Sequence, residues 1–406
     1  MTKTYVLSVA NDNGNSEHKL TVDGTMVRQP NVYARISGPK FEKNNTIEQA
    51  IQELHGSIDV TISSPAIADA DNTRFLIGHA AMMGVGASKV KNMNLTKGKK
   101  HEEDLPIINT LGVIATKTVQ KHYEETKEIN NNDMLEVTVN MSTCLPASVY
   151  KDATAKKFKE RFQQDTHLVT VNIKSDLKVI VKVTFGYVGV TAEGTSPLFE
   201  IIEDGQGNYR TGEMFKEFSE EYKIPDIDGS YFSDKNLMHV DIGDGTTELI
   251  LTHGYDVKHS DGLKYGLGVA LEEVSKKWED KKAYTRQDIS DIAKSEAHAF
   301  HADIIEDLNG APLQNLASDV SQDVKQFLDE LRAYQIHVMV VYGGGSILLK
   351  NHLYNKLKEI AAEERFQLLW IPSKFSVDMN VNGLDTFNKI YMEELIAEAA
   401  AATEEE

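Results

Sequence analysis

Apolar positions recur with period two over short stretches and with period 3.6 over longer ones, and the two patterns take turns along the chain. Residues 4–10, 17–22, 25–29, 32–37, 59–63 and 74–77 read as strands, and a short helix near 46–54 has Asn45 or Thr46 as its cap. A long helix is predicted from 105 to about 125, with Ile107, Leu111 and Ile114 on one face and Asp104 as the candidate cap. Strand 134–140 and helix 153–162 follow, and the second half opens with strands 167–173 and 177–185. Residues 205–234 are polar, aromatic-bearing and poorly periodic, which predicts an inserted surface segment with Tyr209, Phe215, Tyr222 and Tyr231 in local packing. Beyond it lie two strands flanking a Gly-rich turn and helices reaching 278, starting at 285 and spanning 320–334. A buried strand at 337–342, helix 347–362, strand 366–370 and an amphipathic helix at 384–400 complete a mixed α/β pattern. At 406 residues the chain exceeds one ordinary core, and two domains are expected.

Three of the predicted joints carry glycine where a strand ends. In Asp241-Ile-Gly-Asp-Gly-Thr-Thr247 a strand delivers an acid into a turn in which Gly243 and Gly245 permit close backbone approach. Amides of such a turn form a concavity suited to phosphate oxygens, Asp241 is placed to hold a cation beside it, and Thr246 and Thr247 add hydroxyl donors. Taken alone, the stretch is more simply an ordinary hairpin. The same order of strand, Asp-x-Gly turn and strand recurs at the start of the chain, where Asp12-Asn-Gly14-Asn-Ser16 leads to Lys19. A third joint, Gly343-Gly-Gly-Ser346, follows a buried strand and opens a helix, offering a helix N-terminus.

These loops resemble the phosphate 1, phosphate 2 and adenosine motifs of the actin, heat-shock chaperone and sugar kinase ATPase superfamily. Thr143-Cys-Leu-Pro-Ala-Ser148 resembles its interdomain connecting segment, and Asn380-Val-Asn-Gly383 its turn back to the first domain. Within the superfamily the chain is most similar to the bacterial actin-like ATPases that segregate plasmids, the ParM-like group. The resemblance implies an actin-like fold with two similar domains, each a mixed sheet flanked by helices, and a nucleotide in the cleft between them. Domain I would cover 1–165, completed by 380–406, and domain II 166–379. It implies ATP or GTP with Mg²⁺, the ion held by Asp12 and Asp241. Asn13, Gly14, Asn15 and Ser16 would cradle phosphates together with Gly243, Asp244, Gly245, Thr246 and Thr247, while Lys19 neutralises charge. Asp244 would bond the ribose, and Gly343, Gly344, Gly345 and Ser346 would border the adenosine. In the ParM-like group a glutamate soon after the Leu-Pro pair orients the attacking water, whereas Val149 stands at the matching position here. The water-orienting role is therefore open, with Ser148, Glu193 or an acid elsewhere as alternatives.

A net charge of −19 argues against broad direct contact with nucleic acid, so DNA cargo would need a DNA-binding adaptor. No run is long enough to span a membrane and no apolar leader is evident, which fits a cytoplasmic protein. The single Cys144 reads as a buried thiol. Lys89, Lys91, Lys97, Lys99 and Lys100 make one loop locally basic, a solvated loop or a contact for the next subunit of a polymer. His298 and His301 have a metal-compatible spacing but no evident third ligand. Three functions are expected in descending order. The first is a filament-forming ATPase that segregates plasmids. The second is a small-molecule kinase, which would need a general base that is not evident. The third is a non-polymerising chaperone-type ATPase, for which no substrate domain follows the last helix.

Overall fold

The computed structural model describes residues 3–38, 45–69, 71–93, 99–280 and 284–404, arranged as two compact units. Lys97 lies outside the described residues. The first unit comprises residues 1–145, 149–191 and 380–406, and the second 146–148 and 192–379.

The first unit is built on one ten-stranded mixed sheet. Its strand order is Thr25–Pro30, Glu17–Val22, Lys3–Asn13, Asp133–Leu145, Lys178–Ala192, His167–Asn172, Asp59–Ser63, Thr73–Ile77, Val32–Arg35 and Lys91–Asn92. Lys3–Asn13 pairs in parallel with Asp133–Leu145, from Lys3 opposite Leu135 to Asn11 opposite Thr143. Parallel neighbours need a crossover, and the buried helix Leu105–Thr126 lies within that connection. Asp104 does not cap this helix through its side chain; its Oδ1 instead accepts from Arg161 Nη2 at 2.7 Å.

The sequence places the start of the second half at 166, but strand pairing puts 167–191 in the first sheet. Val60 faces Val171 across Asp59–Ser63, and Val171 faces Val179. Periodicity marks these segments as strands without saying which sheet they join. Residues 380–383 are likewise not a turn; they lie in the helix Met379–Glu404. That helix is tied to the first sheet where Ser142 Oγ donates to Leu384 O at 3.2 Å and Asn388 Nδ2 to Val9 O at 2.9 Å.

In the second unit the sheet order is Asp256–Leu263, Thr247–His253, Asn236–Ile242, Val338–Tyr342, Gln367–Trp370. Both faces are covered, so its central strands read as near-continuous apolar runs. Met238, Val240, Leu249, Leu251, Met339 and Val341 face a layer that includes the helices Leu267–Trp278, Ala311–Glu330 and Gly344–Glu364. Leu237, Val338, Val340 and Tyr342 face the helices Ser196–Ile202, Lys216–Tyr222 and Ser230–Ser233. The segment 205–234 is thus a packed helical layer and not a surface insertion. Phe215 is buried and Tyr222 accepts from Leu368 N at 2.9 Å, whereas Tyr209 is exposed. Its short helices carry too few turns to register a 3.6 period.

Candidate functional site

In the first unit the strand Lys3–Asn13 runs three residues further than hydropathy suggests, so Asn11, Asp12 and Asn13 are buried strand residues and not turn residues. Partners inside the protein make this tolerable. Asn11 donates to Thr110 Oγ1 at 3.1 Å, and its Oδ1 receives Asn13 Nδ2 at 3.0 Å and meets His18 Nε2 at 2.8 Å. Asp12 stands opposite Lys19 in the antiparallel ladder, which puts both side chains on one face. The Cys144 thiol lies 3.9 Å from Asp12 Oδ1. The connecting turn, Gly14-Asn15-Ser16, is held by its carbonyls: Asn31 Nδ2 donates to Gly14 O at 2.6 Å and Asn31 N to Ser16 O at 2.9 Å.

The second unit brings two glycine loops together. The turn after Asn236–Ile242 closes with Gly243 N on Thr246 O at 2.9 Å. Its carbonyls point at the start of the helix Leu267–Trp278: Leu267 N donates to Gly243 O at 3.0 Å and Gly268 N to Asp244 O at 2.7 Å. In a trans peptide C=O and N–H point in opposite directions, so the amides of Asp244 and Gly245 turn away from that helix, as an anion-binding concavity requires. Gly266 and Gly268 make the approach possible, since a Cβ there would lie 2.5 Å from Gly243 O and 2.8 Å from Asp244 O. The Asp244 carboxylate pairs with Arg286 at 3.1 Å.

Gly343, at φ +91°, follows the neighbouring strand Val338–Tyr342 and leads directly into the helix Gly344–Glu364. A Cβ on Gly345 would lie 2.6 Å from Ile242 Cγ2, whereas nothing stands within 4 Å of that position on Gly344. Ser346 is fully buried, its hydroxyl donating to Gly343 O at 2.8 Å and meeting Ser376 Oγ at 2.8 Å. Its hydroxyl therefore fastens the loop. Thr247 is also fully buried, and its Oγ1 has no hydrogen-bond partner among the described residues.

Hairpin register adds a residue that the motif reading missed. Asp241 faces Glu248 directly across the ladder. Glu248 is only 5% exposed, and burial, followed by the charges of Glu193 and Asp241, pushes its carboxyl well above the usual range. Ser148 donates to it from both hydroxyl and backbone N–H. The available signal was an acid one position into a buried apolar strand, Thr247-Glu-Leu-Ile-Leu251. Half-buried Asp241, with the acids Glu248 and Glu193 in electrostatic reach, offers a carboxylate oxygen of the kind a hard divalent cation takes through one or two carboxylates.

The remaining candidates separate from this site. His298 lies in a turn, and His301 begins the helix His301–Asn309 with its Nδ1 3.0 Å from Ile292 O, so the pair does not share a helix face. Lys100 is buried, while Lys99 is exposed and pairs with Glu102 at 2.9 Å. Val149 O accepts from Thr154 Oγ1 at 3.0 Å in the first unit.

Residues 239–355 match the family model described as archaeal actin homologue MreB-like, C-terminal. A search of curated proteins finds no match. Among solved structures, the actin-like protein Alp7A is 16% identical with a TM-score of 0.68, covering 99% of this chain and 100% of its own. Bacillus thuringiensis ParM with ATP is 16% identical with a TM-score of 0.60 over 96% of this chain and 99% of its own. Ta0583, an archaeal actin homologue, is 15% identical with a TM-score of 0.55 over the same shares, 96% and 99%. At these identities the likeness establishes the fold: the chain has the actin-like α/β fold.

Proposed function

We propose that this chain, on its actin-like fold, is an ATPase that assembles into filaments with ATP and Mg²⁺ and weakens them by hydrolysis. One observation carries the reading: Asp241, the amides of Asp244 and Gly245, and the Gly343–Gly345 helix start converge at adjacent strand ends of one sheet. Phosphoryl transfer needs mainly positioning and charge neutralisation, which loops of this kind supply without a protein nucleophile. Asp244 and Gly245 would hold phosphate oxygens through backbone N–H groups, and the N-terminus of Gly344–Glu364 favours negative charge nearby. Asp12, Asn13–Ser16 and Lys19 would do the corresponding work from the first unit. Asp241 would hold the Mg²⁺ on the second unit, with Asp12 as the corresponding acid of the first; when bound, the ion would neutralise charge on the transferred phosphoryl group.

That one relative was solved with ATP, with ADP and with AMPPNP supports a nucleotide as ligand here. Partition of plasmid DNA in the cytoplasm through a DNA-binding adaptor is the cellular role we infer, since the chain's charge of −19 disfavours direct binding to a polyanion.

Right-angle light scattering after addition of ATP and Mg²⁺, with phosphate release followed in the same cuvette, tests this reading. Scattering that rises above a critical protein concentration, followed by phosphate, is expected. Asp241→Ala should fold normally and release no phosphate. ADP formed only after addition of a sugar or other acceptor, with no free phosphate and no scattering at any concentration, would instead identify a kinase.

A further inference from the structure

The buried acids Asp59 and Glu200 are each held by an arginine, and Glu248 is not held in that way among the described residues. Asp59 is 1% exposed, but Arg74 grips both its oxygens, at 2.8 and 2.7 Å, and Asn172 adds a third bond at 2.9 Å. Glu200, 5% exposed, receives Arg210 Nη2 at 2.8 Å. Among the described residues Glu248 has no such cation: its Oε2 is buried without a hydrogen-bond partner there, so the two Ser148 bonds fall on Oε1. Its charged neighbours are the acids Glu193 and Asp241.

A carboxyl kept only for stability is expected to have both oxygens bonded, because an unmade bond in the interior is costly. The surroundings instead fix the group in place. Ser148 anchors one oxygen, and Gly262 on the adjoining strand leaves the room. A Cβ there would lie 2.8 Å from Ser148 Oγ and 3.1 Å from Glu248 Oε1. The ladder sets the carboxyl on the same face as Asp241, at the strand end where the phosphate loop begins.

We infer that Glu248 orients the attacking water, with Ser148 as the positioning residue that aims its free oxygen; this rests on the ATPase reading above. An acid that Ser148 holds thereby takes the role for which Val149 offers no carboxylate. Oε2 accepts a hydrogen bond from the water, whose oxygen bonds to the terminal phosphorus as the bond from that phosphorus to the bridging oxygen breaks. ADP leaves with the bridging oxygen, and the water's two hydrogens leave on the phosphate as H₂PO₄⁻, so ATP⁴⁻ and water give ADP³⁻ and H₂PO₄⁻.

The test is steady-state ATP hydrolysis by the full chain with Mg²⁺ for wild type, Glu248→Gln and Ser148→Ala, alongside nucleotide affinity from a fluorescent ATP analogue. Glu248→Gln keeps shape and volume, so kcat should fall about 100-fold or more while KM and analogue affinity stay within about threefold. Ser148→Ala should lower kcat about three- to tenfold, again with KM unmoved. Unchanged kcat in Glu248→Gln, or a loss confined to affinity, would overturn the assignment. Should Glu248→Gln fail to fold, Ser148→Ala decides, and an unchanged kcat there overturns it. A wild type that releases no phosphate removes the ATPase reading and this inference with it, whereas an active wild type with an active Glu248→Gln removes only the inference.

Discussion

A Cβ placed on Gly343 would lie 2.4 Å from Asp241 Oδ1. Two loops far apart in sequence therefore touch through the one residue type that lets them. The left-handed φ of +91° independently disfavours any side chain at 343. Gly343→Ala should destabilise the protein by about 1–3 kcal/mol and lower ATP turnover at least tenfold by displacing Asp241. Gly344→Ala meets no atom within 4 Å, so its melting temperature should stay near wild type while nucleotide affinity falls. Thermal melts and nucleotide titrations of the two variants separate strain from ligand contact.

Arg286 holds Asp244, the residue expected at the ribose, through a half-exposed pair at 3.1 Å. Such pairs contribute about 0–1 kcal/mol to stability, so Arg286→Ala should leave urea unfolding almost unchanged. Losing the partner frees the Asp244 side chain, and nucleotide affinity should drop about three- to tenfold. Equal affinity in titrations of wild type and variant would show that the pair does not serve the ligand.

Asn11 is the hub beneath the first loop, touching Thr110, Asn13 and His18. Asn11→Ala strips a partner from several buried groups at once, and denaturant unfolding should show a loss of about 2–3 kcal/mol. Asn11→Asp should be no better, since it places a charge where the side chain is fully buried.

His18 and His239 are fully buried, and burial lowers each imidazole to about 3, with the nearby Lys100 charge adding to the effect at His18. Between their unfolded value of about 6.5 and about 3, the unfolded chain binds protons that the folded chain refuses. Stability contributed by both neutral histidines is thus present above pH 6.5 and lost as pH falls toward 3. Urea unfolding at pH 7 and pH 5 should show a drop of about 1–2 kcal/mol per histidine. His239→Gln, which can still reach Thr252 Oγ1, should remove one histidine's share of that drop.

The sequence by itself determined the alternation of strands and helices, the glycines at three strand ends and Asp241 as the acid delivered to one of them. Each is a local property: strand and helix periods, or a glycine beside an acid, are visible within a few residues. Thr285 was also legible as a helix start, as was Thr46 as one of two candidates with Asn45, and both threonines form capping boxes.

Only the tertiary structure decided what depends on pairing. Strands 167–172 and 178–192 belong to the first sheet because of their register partners, which no local pattern encodes. Asn11, Asp12 and Asn13 look like a polar turn, yet a buried network with distant Thr110 and His18 lets them extend a strand. Glu248 reads as an unremarkable polar residue until the hairpin sets it opposite Asp241 and the fold brings Ser148 to one of its oxygens. Burial of a charge, and which donor meets it, are set by contacts between segments remote in sequence, so the candidate water-orienting group became visible only in three dimensions.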